Sequence, residues 1–231
     1  MSTNFSDLQS AVIDSLHPAI KSQSNYSLAL VKSELNKAYL DFVKRTKCIE
    51  GTVSITTVAN QESYTASDEA TIGNIIQPYE VRFIQSGSTD NGYLLSPYEG
   101  GHSNLPRVKT YGIPYNYWIV GGNAKGKFEI GTWPIISESG GTLKIWAFMW
   151  PSSELTLDTD EPEIEEAYRD ALADYALYKI YRKFKYLNES WHNLSVTYKN
   201  DYLEKVAGWQ HENYSDDMGE LPSVVDVFGD W

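Results

Sequence analysis

Apolar positions along the chain change period twice, and each change marks a change of structure. Leu8, Val12, Leu16 and Ile20 recur at near-helical spacing. Ser6 with Gln9 three residues later gives the start of this helix a capping box. Pro18 should end or kink it near His17. Leu28, Val31, Leu35, Tyr39 and Phe42 step by three or four residues and predict a second helix over about Asn25 to Lys47. After Gly51 the period drops to two: Val53, Ile55 and Thr57 alternate with Thr52, Ser54 and Thr56. The expected strands are Val53–Val58, Tyr79–Gln85, Gly92–Leu95, Tyr115–Val120, Gly126–Gly131 and Thr142–Met149. Glycine-rich turns at Asp90–Gly92, Gly100–Gly101, Gly121–Asn123 and Gly140–Gly141 separate several of them. In the last strand Leu143, Ile145, Ala147 and Met149 alternate with Lys144, Trp146, Phe148 and Trp150, so cover on both faces is expected.

Beyond Trp150-Pro151 the helical period returns. Pro162 stands where a first helical position would be. Ile164, Tyr168, Ala171, Tyr175 and Tyr178 form a stripe, widened by Leu172, Ala176, Ile180 and Phe184. Tyr175 and Tyr178 should therefore lie on the packed face. Glu163, Glu165, Glu166 and Asp170 crowd the start, and Lys179, Arg182, Lys183 and Lys185 the end, as the helix macrodipole favours. A further helix is expected over about Glu189 to His211. Residues 212–231 carry six acids and no Lys or Arg, yet include Leu221, Val224, Val225, Val227, Phe228 and Trp231. No internal repeat is visible. The pattern predicts an α+β fold with N-terminal helices, a central antiparallel β-sandwich-like region, long C-terminal helices and an extended acidic tail. The expected parts are a helical part (1–50), a β-rich insertion (51–150), a second helical part (151–214) packing with the first as one domain, and an arm (215–231).

Composition narrows the classes. The 231 residues are 42% hydrophobic and 13% aromatic, which excludes a disordered chain. The load of 17 Tyr and 7 Trp suits half-buried surfaces, such as subunit contacts or a ligand platform. Cys48 is the one cysteine, so no intramolecular disulfide is possible and a reducing cytosol is tolerated. A secretory signal and a membrane span are not expected. A net charge of −12 argues against a reader of DNA or RNA, but not against a protein that DNA passes.

Candidate chemistry is sparse. Glu163, Glu165 and Glu166 invite an acid/base reading, as in a hydrolase using scattered carboxylates. Paired glycosidase carboxylates, however, usually flank a cleft, whereas these share one helix start. His17, His102, His192 and His211 form no zinc-ligand spacing. Gly121–Lys127 followed by Phe128 lacks the hydroxyl residue of a phosphate loop, and a hairpin turn explains it. Tyr111, Tyr115, Tyr117, Trp118 and Trp133 could pack the sheets or form a carbohydrate platform on a tail-associated host-binding module. Strand alternation through Tyr115, Tyr117 and Ile119 favours packing. No catalytic residue, metal or cofactor is expected.

Two segments carry a resemblance. The run Tyr168, Arg169, Asp170, Ala171, Leu172, Asp174, Tyr175, Ala176, Leu177, Tyr178 and Tyr181, opened by an acidic turn and Pro162, resembles the C-terminal helix of tailed-bacteriophage head–tail adaptor (connector) proteins. LKIWAFMWPSSELT before it resembles that family's last strand. Leu35, Asn36, Ala38, Phe42, Arg45, Thr46 and Gly51 resemble its "lN.Aq.ef..rT..l.g" helix. The two segments cover about a quarter of the chain and the order of elements most of it, with Glu99–Tyr117 and the residues after Tyr214 outside the pattern. The resemblance implies a non-enzymatic virion protein, assembled in the host cytoplasm. It implies a ring of about twelve copies beneath the portal, contacting the next neck component or the tail, with DNA passing and no membrane contact. Residues 215–231 are expected to be an arm for a partner, with Leu221, Val225, Phe228 and Trp231 as its contact residues, suited to strand addition at a neighbour's sheet edge.

Overall fold

A computed structural model describes residues 3–98, 109–122 and 124–214. The chain divides into two compact units, Met1–Thr46 with Leu155–Trp231, and Lys47–Glu154.

The first unit is helical. Helix α1 (Phe5–Ser15) is capped by Asn4, whose side chain accepts the Asp7 N–H while the Asp7 carboxylate accepts the Asn4 N–H. The capping box thus sits two residues before the expected Ser6–Gln9 pair. Tertiary contacts decide between the two: the Phe5 and Ser6 N–H groups donate to the carbonyls of Asp160 and Asp158, which satisfies two orphan donors of the first turn. Gln9 is instead buried, donating to Asp158. Pro18 does more than end a helix; it occupies the first position of a short helix α2 (Pro18–Lys21). Helix α3 (Leu28–Thr46) buries Val31, Leu35, Ala38, Tyr39, Phe42 and Val43, whereas Leu28, expected on the stripe, is exposed.

Helix α4 (Asp170–Phe184) starts eight residues after Pro162, preceded by a 3-10 turn at Glu166–Tyr168. Pro162 is buried in the approach to the helix rather than at its first position. The packed face is centred on Leu172, Ala176, Ile180 and Phe184, the residues expected only to widen the stripe. Tyr175 and Tyr178 lie half-buried at its margin. Helix α5 (Glu189–Tyr214) returns antiparallel to α4 after a 3-10 turn at Lys185–Leu187, burying Trp191, Ser195, Tyr202, Val206 and Trp209.

The second unit holds two four-stranded sheets and a small pair. Strands β1 (Glu50–Thr56), β3 (Ile75–Ile84), β4 (Tyr93–Leu94) and β10 (Thr142–Met149) form an antiparallel sheet in the order β1-β10-β3-β4. Strands β2 (Ser63–Thr65), β5 (Ser96–Pro97), β7 (Asn116–Val120) and β8 (Glu129–Trp133) form the order β2-β8-β7-β5. The β5–β7 pairing is parallel, as is the pair β6 (Tyr111–Gly112) with β9 (Ile135–Ile136), so the region is mixed rather than wholly antiparallel. Inward residues of both large sheets share one core, among them Val53, Phe83 and Ile145 from one and Tyr64, Tyr117 and Ile130 from the other.

The β3 ladder runs back through Pro78, which has no N–H to give. A register shift opposite Trp146 and Ala147 absorbs it. On β10 the residues Leu143, Ile145 and Ala147 are buried, while Lys144, Trp146 and Phe148 are half-buried; the second face is partly open rather than covered. The β7–β8 hairpin depends on Gly121, with φ +89°, where a Cβ would run into the Lys127 carbonyl.

Candidate functional site

Within the helical unit, polar side chains clamp the chain where it re-enters. Asn36 on α3 treats Leu155 as a strand would: its Oδ1 accepts the Leu155 N–H (2.8 Å) and its Nδ2 donates to the Leu155 carbonyl (2.9 Å). The Tyr39 hydroxyl accepts the Glu163 N–H at 2.7 Å. Arg169 donates to the carbonyls of Ile164 and Thr3 and pairs with Glu161. The Tyr181 hydroxyl accepts the His17 N–H and donates to the Ser15 carbonyl, closing the end of α1. Asp160 accepts the N–H groups of Thr156 and Leu157, which hold its carboxyl below the usual carboxylate range. Asp158 is held low by hydrogen bonds from Gln9 and Lys32. Asn36, Arg169 and Tyr181 all belong to the two segments singled out in the sequence. Their polar atoms fix connecting segments, a role that spacing alone does not disclose.

A second polar group lies among α3, α4 and α5. Asp41 accepts from Arg45 Nε and from the Tyr202 hydroxyl, both at 2.6 Å. Burial, then the Asp41 charge, pushes the Tyr202 hydroxyl well above the usual phenol range. Burial likewise raises Tyr175, whose ring meets Tyr202 edge-on at 5.0 Å. Lys205 bridges Asp170 and Asp174 at 2.7 Å each. Burial raises the Asp174 carboxyl despite this partner. For Lys205, burial alone would lower the ammonium, but the two carboxylates outweigh it and raise it.

The surface of the unit is polarised along α4. At the start, Glu163, Glu165, Glu166 and Asp170 are exposed. At the far end Lys179 sits 5.0 Å above both the Tyr175 and Tyr178 rings, and Arg182 donates to the Tyr178 hydroxyl at 2.7 Å. Lys183, Lys185 and Tyr186 project beside them.

The remaining candidates separate. His17 caps α2 through Nδ1, and His192 and His211 lie exposed on α5. His102 lies outside the described residues. Among the described residues no group of His, Cys, Asp or Glu could hold a metal ion. The Gly121–Lys127 segment links β7 to β8 as a hairpin connection. Of the aromatic cluster, Tyr117, Trp118 and Trp133 are buried while Tyr111 and Tyr115 are 50% and 60% exposed. Three of the five rings therefore pack the sheets. An open groove of about 530 Å³, lined by Pro78, Pro97, Tyr98, Tyr117, Trp118 and Ile119 among others, takes in two rings of that cluster and brings no acid–base pair together. The tail residues Leu221, Val225, Phe228 and Trp231 lie outside the described residues, as does Glu99–Val108 of the Glu99–Tyr117 stretch.

The helical unit clamps its connecting segments with polar side chains and carries its charge on exposed helix ends. The chain matches the SU10 adaptor protein model over residues 3–219 and belongs to that family of phage head–tail adaptors. No curated protein matches it. Family membership gives the chain a structural role in phage assembly. Among the described residues no helix is long and apolar enough to cross a membrane.

Proposed function

We propose that this chain is the repeating subunit of a closed ring in the phage neck, joining the portal to the tail and leaving a channel through which DNA passes without sequence-specific contact. The family match across residues 3–219 carries this reading. Identical subunits closing a ring of about twelve need two different complementary patches each, since a cyclic interface is heterologous. The opposite charge at the two ends of α4 supplies unlike surfaces on one unit. The net charge of −12 suits a channel that does not hold phosphates, because a basic lining would bind them through counterion release. In this reading residues 1–50 and 151–214 form the ring-building domain, 51–150 an insertion, and 215–231 an arm contacting a partner through Leu221, Val225, Phe228 and Trp231.

A phage with a stop codon early in this gene tests the assignment. The expected outcome is separate heads and tails that fail to join, with joining restored by the wild-type chain supplied in trans. Complete, infectious particles lacking the protein would overturn it.

A further inference from the structure

The strongest unused feature of the described surface is the basic end of α4. From Tyr175 to Asn188 the chain has four cations and no acid, within a chain of net charge −12. Arg182, Lys183 and Lys185 are exposed and make no ion pair among the described residues. A helix dipole is served by cations in the last turn, and Lys185 already lies past it. Tyr186 and Leu187, 67% and 42% exposed, add apolar area to the same end.

Resting on the ring reading, we propose that residues 215–231 of one copy dock on this basic, tyrosine-bearing end of α4 in a second copy. Residues 215–231 bring five side-chain carboxylates, no Lys or Arg, and seven large apolar side chains. They match the α4 end in both charge and apolar character. The geometry favours a second copy over the same one. Helix α5 begins beside the basic end and runs 26 residues to Tyr214, a length of about 38 Å. Its far end lies at the other end of α4, where the Tyr168 hydroxyl donates to Glu212. Folding back along its own subunit as far as Lys183 or Lys185 would use roughly ten to twelve extended residues as a tether, leaving Asp216, Asp217 and Glu220 short of those two lysines. A neighbour presented to the end of α5 has no such limit. Tyr214, from which the arm departs, and the receptor lie at opposite ends of the α4–α5 hairpin, the arrangement a head-to-tail ring requires.

The test uses the full-length protein, prepared at natural isotope abundance and with nitrogen-15, mixed in equal amounts at a concentration where sedimentation shows association. A carbodiimide then joins contacting carboxylates and amines, and mass spectrometry reads the products. Mixed-isotope links from Asp226 or Asp230 to Lys183 or Lys185 are expected. They should fall several-fold in R182E, which keeps both lysines, and also between about 0.05 M and about 0.5 M salt. Circular dichroism checks that R182E stays folded. Links within one isotope only, links to Lys144 beside the β1 edge, no links, or links indifferent to R182E would each overturn the proposal. A ring in the neck without these links removes the docking site alone; a neck without this chain removes the ring reading itself.

Discussion

Replacing Asn36 by Ala isolates the clamp on the re-entering chain. The substitution removes two hydrogen bonds to Leu155, at 2.8 and 2.9 Å, and leaves the amide and carbonyl of that buried residue without the side chain that paired them. Neutral hydrogen bonds are worth about 1 kcal/mol each in net terms. Alanine returns up to about 0.7 kcal/mol through its higher helix propensity. The expected net loss is about 1–2 kcal/mol, which at 1.4 kcal/mol per decade corresponds to roughly tenfold faster exchange of the Leu155 amide hydrogen. Amide exchange read by mass spectrometry or NMR is the suitable assay, because a chain of two units need not unfold in one step. N36D adds a second check. At neutral pH its carboxylate can accept the Leu155 N–H, but its other oxygen faces the carbonyls of Leu155 and Lys32, to which Nδ2 donates in the wild type. N36D should therefore protect Leu155 less than the wild type at pH 7 and regain protection as acid restores a donor. Unchanged Leu155 exchange in N36A, or wild-type protection in N36D at pH 7, would refute the clamp.

Y202F should cost about 1.5 kcal/mol at neutral pH, the low end for a bond to a charged group, since Asp41 keeps Arg45. The raised Tyr202 and Tyr175 hydroxyls keep their protons in the fold after the unfolded chain has lost them. Wild-type stability should thus be full below about pH 10 and fall as pH rises through the folded values, more shallowly in Y202F; equal slopes in denaturant titrations at pH 9 to 11 would contradict this. K205M leaves the half-buried Asp174 unpaired and should cost about 1 kcal/mol at pH 7. That deficit should shrink as falling pH protonates Asp174, whose raised folded value makes the fold bind more protons than the unfolded chain, and an acid-independent deficit in thermal melts would count against the pairing. G121A should cost about 1–3 kcal/mol by forcing a Cβ into the Lys127 carbonyl, whereas G126A, also at positive φ but with open space around it, should cost less; equal thermal shifts would show that backbone conformation alone matters.

Where a long period dominates, the sequence leads directly to the element. Thr142–Met149 is a strand over the residues its alternation marks, and α3 buries the stripe from Val31 to Phe42. Strands of two or three residues, such as β5, β6 and β9, are too short to carry a period. The start of α1 was ambiguous for another reason: Asn4–Asp7 and Ser6–Gln9 share the same spacing, and only the carbonyls of Asp158 and Asp160, some 150 residues away, choose between them. Pro162 looked like a helix start because no local signal reveals that Tyr39 and Arg169 hold the approach to α4 in a non-helical path. Ile164 and Ala171 of the tyrosine stripe are buried, but Tyr175 and Tyr178 lie at the margin of the packed face, whose centre is filled by the row from Leu172 to Phe184. Lys179 over both rings and Arg182 on the Tyr178 hydroxyl suit that margin. For the candidate surface, the cluster Lys179–Lys185 was legible as charge. That it makes no ion pair among the described residues, beside exposed Tyr186, shows only in the fold.

A cryo-electron microscopy reconstruction of the neck in purified virions tests the central claim most directly. The account predicts a closed ring of about twelve copies of this chain between portal and tail, with no continuous band of Lys and Arg around its lumen. A complete neck built without this chain, or this chain found only away from the head–tail junction, would contradict it.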